Sequence, residues 1–255
     1  MILKNSLVLY ILFYISTVTQ VEAGLDPGKD LFIPHSLNIL SMGTAVTRLG
    51  DSELNRANAK LMQIEKYLHK FFIFEPVGMD IRRCSLPNSS VKDGRITVCL
   101  EMLDYLHAQL QDKTKVRDVV LFVLFHEFSH VLLHAWKYPM YDNEEVADDF
   151  AAALMILIGK QNNLSSVIEF FSTRPNVSEL TIRYFGDVRH PLSVQRARNV
   201  SRRLTQANFM ARWMSFLLPH MQSAVLKQLV EKPPGWVDLV KVKKILSDRH
   251  PSLIE

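Results

Sequence analysis

The stretch LFHEFSHVLLHAW, Leu124–Trp136, decides how this chain is read. It sets His126 and His130 four residues apart, with Glu127 beside the first, in a run that is otherwise almost wholly apolar. On a helix, residues four apart share a face one turn apart. Two imidazoles so placed can hold one Zn²⁺ through their ring nitrogens, while the neighbouring carboxylate reaches a water at the metal without becoming a ligand. Zinc brings the pKa of such a water to about 7. Glu127 is then the candidate general base, taking the proton and later giving it to a leaving amine. The apolar flanks predict a buried helix over Arg117–Trp136. A pair of hydrogen-bonded core histidines is the competing reading, because buried imidazoles need partners.

A catalytic zinc site needs a third protein ligand and one open position. The segment NEEVADD, Asn143–Asp149, begins thirteen residues after His130 and opens a second predicted helix over Asn143–Lys160. Asn143 is its expected N-cap and Gly159 its stop. Glu144 and Asp148 share a face, so Glu144 can ligate while Asp148 accepts the free N–H of a metal-bound histidine and fixes its tautomer. Glu145, with Asp149 one turn on, is the rival ligand. Acids answering the dipole of a helix N-terminus are the plain alternative. His134 lies a further turn past His130 and is assigned to packing around the site.

The rest of the chain supports a mostly helical α+β fold. Residues 24–50, rich in Gly and Pro, read as an irregular arm, and 51–255 as one domain. Asp51–Phe72 is a predicted helix on the spacing of Leu54, Leu61, Ile64 and Leu68. Val77–Leu86 and Gly94–Leu100 read as two strands joined by a polar loop. Further helices are predicted over Glu101–Gln111, Leu164–Phe171, Ser193–Leu218, Met221–Glu231 and Val237–Ser247, with KPPGW as a break. Cys84 and Cys99 flank a turn-rich stretch that adjacent strands could close into a disulfide; two free buried thiols are the alternative.

Composition limits the function. The 255 residues are 48% apolar and 22% charged, with a net charge of +4. The basic residues are scattered, which argues for solvated helix faces and against a nucleic-acid partner. Lys4, the uncharged run Ser6–Val18 and the small residues Val21 and Ala23 read as an export signal over residues 1–23, with cleavage expected after Ala23 and no membrane attachment afterwards; an uncleaved anchor is the alternative. The mature chain is then secreted or periplasmic. Asn88, Asn163, Asn176 and Asn199 each head an N-x-S sequon, an acceptor sequence in a eukaryotic secretory pathway. No G-x-S-x-G element supports a serine nucleophile.

H-E-x-x-H followed by E-x-x-A-D resembles the gluzincin zinc metallopeptidases, with Glu144, Ala147 and Asp148 at the positions of the second motif. A narrower resemblance is to the DUF4344 group of uncharacterised secreted metallopeptidases. It is carried by CSLPN (Cys84–Asn88), VCLEMLDYL (Val98–Leu106), FHEFSH, EEVADDFAA and HPLSVQR (His190–Arg196), which stand in that group's order over residues 54–203. No matching text is found over 204–255. The resemblance implies a zincin-like domain, a peptide or protein substrate, and zinc on His126, His130 and Glu144. HPLSVQR is similar to a His-Pro…Arg element near the metal of other gluzincins. By that likeness His190 donates to the oxyanion and Arg196 pairs with a site carboxylate; Pro191 merely starting a helix is the equal alternative. A non-catalytic secreted binding protein on the same scaffold, with structural zinc or none, is the second functional reading.

Overall fold

The computed structural model describes residues 51–85, 87–173 and 193–249. The signal, the arm and the segment carrying His190, Asn176 and Pro191 lie outside the described residues. The architecture is a mostly helical α+β fold built round one central helix.

Helix α1 (Asp51–Phe71) turns Ala57, Leu61, Ile64 and Leu68 into the core. Its polar side also does structural work. The Asn58 amide brackets the backbone of Ile81, accepting from its N–H at 2.6 Å, and the Glu65 carboxylate accepts from Val77 N at 2.5 Å. These bonds satisfy the outer edge of strand β1 (Gly78–Arg82), which would otherwise expose unpaired backbone groups.

The sheet has three strands where two were expected. Between the predicted pair, Ser89–Lys92 forms β2, antiparallel to β3 (Arg95–Cys99), while β1 runs parallel to β3 on its other side. Asp93 and Gly94, with φ of 51° and 70°, make the two-residue turn. Asp-Gly is the usual signal for a hairpin whose two central residues both carry positive φ, and it spans the boundary between the predicted polar loop and the predicted strand at Gly94. The register sets Arg82 opposite Cys99. Cys84, just past the end of β1, therefore bonds Cys99 with a Cα–Cα distance of 5.4 Å. Closing a loop of 15 residues is worth about 3 kcal/mol in chain entropy.

Helix α2 (Leu100–Leu110) ends at Gln111 in the left-handed region. The central helix, α3, spans Lys113–Ala135 and so starts four residues before the predicted Arg117. Its first turn, Lys-Thr-Lys, has no apolar periodicity; the start is set by Asp112, which accepts from Thr114 N and Lys115 N. Side chains all round α3 are buried, Phe122, Phe125 and Phe128 completely, as in a helix enclosed by its neighbours. Lys137, at φ 57°, closes α3 with bonds from its N–H to His134 O and from Tyr138 N to Leu133 O.

Asn143 accepts from Val146 N and starts α4 (Glu144–Leu157); Gly159, at φ 70°, ends it. Helices α5 (Leu164–Thr173) and α6 (Ser193–Leu204) pack on α3 and α4. The long helix expected over Ser193–Leu218 is two helices, α6 and α7 (Phe209–Leu217). Thr205 Oγ1 donates to Arg202 O, and Gln206 N and Phe209 N bond three residues back, so the i−4 ladder lapses between them. Helices α8 (Ser223–Glu231) and α9 (Leu239–Arg249) follow.

The segment Leu218–Gln222 returns to the beginning of the fold. Ile73 N donates to His220 O, Gln222 N donates to Phe71 O, and the Gln222 amide donates to His69 O and Phe72 O. Trp136, at the end of α3, stacks on the His220 ring at 4.3 Å and donates to Ile73 O. Among the described residues no helix is long and apolar enough to cross a membrane.

Candidate metal centre

The α3–α4 pair builds the site. His126, Glu127 and His130 project from α3, and the Asn143 cap fixes where α4 begins, so that Glu144 enters opposite the histidines. His126 Nε2 lies 3.0 Å from one Glu144 oxygen and His130 Nε2 lies 3.6 Å from the other. All three donor atoms fall within 4.8 Å of one another. Bonds of 2.0–2.1 Å in a tetrahedral zinc site hold ligand atoms about 3.3 Å apart. The observed spacings bracket that value, so the residues fit a small tetrahedral cation.

The other ring nitrogens are engaged. His126 Nδ1 is 2.8 Å from Asp148 Oδ1, and His130 Nδ1 is 2.9 Å from the backbone oxygen of Tyr141. Both acceptors call for a proton on Nδ1, which leaves the Nε2 lone pairs aimed at the common point. Tyr141 is a partner that sequence reasoning missed. A backbone carbonyl carries no residue signature, and only the turn between α3 and α4 places it. The Tyr141 ring meets His134 edge-on at 4.7 Å, so His134 packs behind the site and does not join the cluster.

Asp148 is held by two cationic groups. Arg196, from α6, grips it with both arms of its guanidinium: Nε to Oδ2 at 2.8 Å and Nη2 to Oδ1 at 2.6 Å. Burial alone would raise the Asp148 carboxyl, but the Arg196 charge and the His126 bond hold it well below the usual carboxylate range. Burial pulls His126 down, yet the bond and charge of Asp148, with Glu144 behind them, lift the metal-free imidazole to about 9. Arg196 also lies over the Phe171 ring at 4.3 Å, a cation–π contact with α5 absent from the sequence reading.

Glu145, the rival ligand, accepts instead from the Gln195 amide at 3.1 Å and stays out of the cluster. Its partner Asp149 pairs with Arg203 at 3.0 Å and Arg212 at 3.5 Å, joining α4 to α6 and α7. Glu127 is only 4% exposed and accepts no hydrogen bond among the described residues. Its charge, with those of Asp148 and Glu144, holds the Arg196 proton against the opposing effect of burial. The disulfide pair stands apart, with Glu101 accepting from Cys84 N.

A family model described as "Putative metallopeptidase" matches residues 49–202, more than half of the chain. The chain belongs to the DUF4344 family. The match runs from the start of α1 to within α6, so the family region holds the sheet, the disulfide, the three candidate ligands, Asp148 and Arg196, and stops short of α7–α9. No curated protein and no solved structure matches the chain.

Proposed function

We propose that the chain is an exported zinc-dependent peptidase, in which His126, His130 and Glu144 hold the metal and Glu127 moves the protons. The observation that carries this reading is the convergence of two imidazole Nε2 atoms on the Glu144 carboxylate, each ring anchored from behind through Nδ1. Membership of a family described as metallopeptidases supports it.

When bound, zinc supplies Lewis acidity, polarising a peptide carbonyl and making water acidic near neutral pH. The protein's own groups do the rest. Glu127 follows His126 directly on α3, and its carboxylate is buried with no hydrogen bond to restrain it among the described residues. It takes a proton from the attacking water and gives that proton to the nitrogen of the departing chain. Asp148 keeps the His126 proton on Nδ1, and Arg196 keeps Asp148 ionised; the Tyr141 carbonyl serves His130 in the same way. His190 is assigned the oxyanion contact on the family resemblance alone. Substrates are peptides or proteins.

Glu127→Gln tests the assignment. The amide keeps the shape and loses the base, so the variant should retain stoichiometric metal and lose about 10²–10⁴-fold in peptide hydrolysis. A variant as active as the parent overturns the mechanism. Stoichiometric metal in the parent without turnover of a broad peptide library favours the binding-protein reading.

A further inference from the structure

The four N-x-S sequons are equivalent in sequence, and the fold separates them. We propose that Asn88 is an N-glycan acceptor of this chain in a eukaryotic secretory pathway, and that Asn163 and Asn199 are not. The inference rests on the export proposed above and on the Cys84–Cys99 bond, which is typical of an oxidising compartment.

Asn88 sits at the head of β2, in the loop beside the disulfide. It is exposed, its carbonyl accepts from Cys99 N at 3.0 Å, and its side-chain amide has no partner among the described residues. The extended backbone points alternate residues to opposite faces. Ser89 accordingly turns inward, at 5% exposure, while Ser90, the hydroxyl residue of the sequon, is exposed like Asn88. Acceptor amide and hydroxyl thus share one solvent face. β2 is an edge strand of the described sheet, and bulk at its head is compatible with the packing on its inner face.

The other two described sequons lack this arrangement. Asn163 spends its amide on the buried carboxylate of Asp118, at 2.5 Å, where Ser166 also donates. An oligosaccharide on that nitrogen would have to displace a bond that ties the start of α5 to α3. Its sequon hydroxyl, on Ser165, donates to Asn162 O. Asn199 and Ser201 lie within α6, and residues two apart on a helix are turned about 200° from each other. Asn199 also accepts from Arg202. Asn176 lies outside the described residues.

In the transfer, Asn88 Nδ2 bonds to the anomeric carbon of a lipid-pyrophosphate-linked oligosaccharide. The bond from that carbon to the pyrophosphate oxygen breaks, the lipid pyrophosphate leaves, and the amide proton passes to a base of the transferase.

The full chain is expressed in eukaryotic secretory cells and digested with an amide-cleaving glycosidase, and its peptides are weighed. The expected result is a new N-terminus at Gly24 and a glycan on Asn88. The variants N88Q and S90A should each remove that glycan, whereas N163Q and N199Q should leave it in place. A chain processed at Ala23 with a bare Asn88, or with the glycan on Asn163 or Asn199 instead, overturns this inference and leaves the export reading standing. A chain that keeps its first 23 residues in the cytosol overturns both.

Discussion

Removing the Asp148 charge should do more damage than removing either of the groups that pair with it. Asp148 is 2% exposed and faces two cations in the metal-free protein at pH 7, the Arg196 guanidinium and the His126 imidazolium. Asp148→Asn keeps the volume and an acceptor oxygen but strands Arg196, whose side chain is 11% exposed, beside a neutral amide. Breaking a buried pair in this way costs about 3–5 kcal/mol. Arg196→Met leaves Asp148 with His126, so its cost should fall at or below the bottom of that range. In the double variant neither charge is stranded, and the two losses should fall short of additive by about 2 kcal/mol. For a chain of this size, 3–5 kcal/mol corresponds to a melting temperature lower by roughly 10 °C. The assay is urea unfolding of the parent, both single variants and the double variant, with chelator present throughout so that metal does not contribute. Single losses below about 1 kcal/mol that simply add would refute the idea that this buried pair organises the site.

Three further outcomes follow from the same structure. Burial raises Asp149 to about 6 against the pull of Arg203 and Arg212; because the folded value lies above the unfolded one, its stabilising contribution is complete near pH 4 and lost as pH rises through 6, so parent and Asp149→Asn should diverge by about 2–3 kcal/mol over that interval. Urea midpoints across pH 4–7 check this, and a constant difference between the two proteins contradicts it. Replacing Cys84 and Cys99 together by Ala should cost about 3 kcal/mol without changing metal content, as calorimetry and metal analysis would show. Zinc at a hundredfold excess over its dissociation constant should stabilise the parent by about 2.7 kcal/mol and leave the melting temperature of Glu144→Ala nearly unmoved.

How far the chain could be read from its letters depended on what kind of group did each job. His126 and His130 were legible because helical pitch alone puts them together, and the Asn143 cap was legible because capping is a side-chain property. Glu144 was preferred over Glu145 from the face it shares with Asp148, and in the structure Glu144 lies 3.0 Å from His126 Nε2 while Glu145 accepts from Gln195 on α6. The third strand was missed although Asp93-Gly94 announced it: polar residues on an edge strand resemble a loop when only apolar alternation is counted. The start of α3 was missed because its first turn is exposed and capped by a single aspartate. The support of His130 by the Tyr141 carbonyl and the Arg196–Phe171 contact have no local signal, since each depends on how distant segments pack.

The joint at Gln222 also sets a schedule for folding. Its amide bonds residues 150 and 153 positions earlier in the chain, and contacts so distant in sequence form late because a long loop must close first. At a synthesis rate of about 5–20 residues per second, the end of α1 waits on the order of ten seconds for the residues that complete it. In the later part of that wait the residues of α3 and its candidate ligands have already been made, but Trp136 has no His220 to stack against. The stack that holds the end of the site-bearing helix against His220 is therefore completed only after the segment beyond the family match has been made.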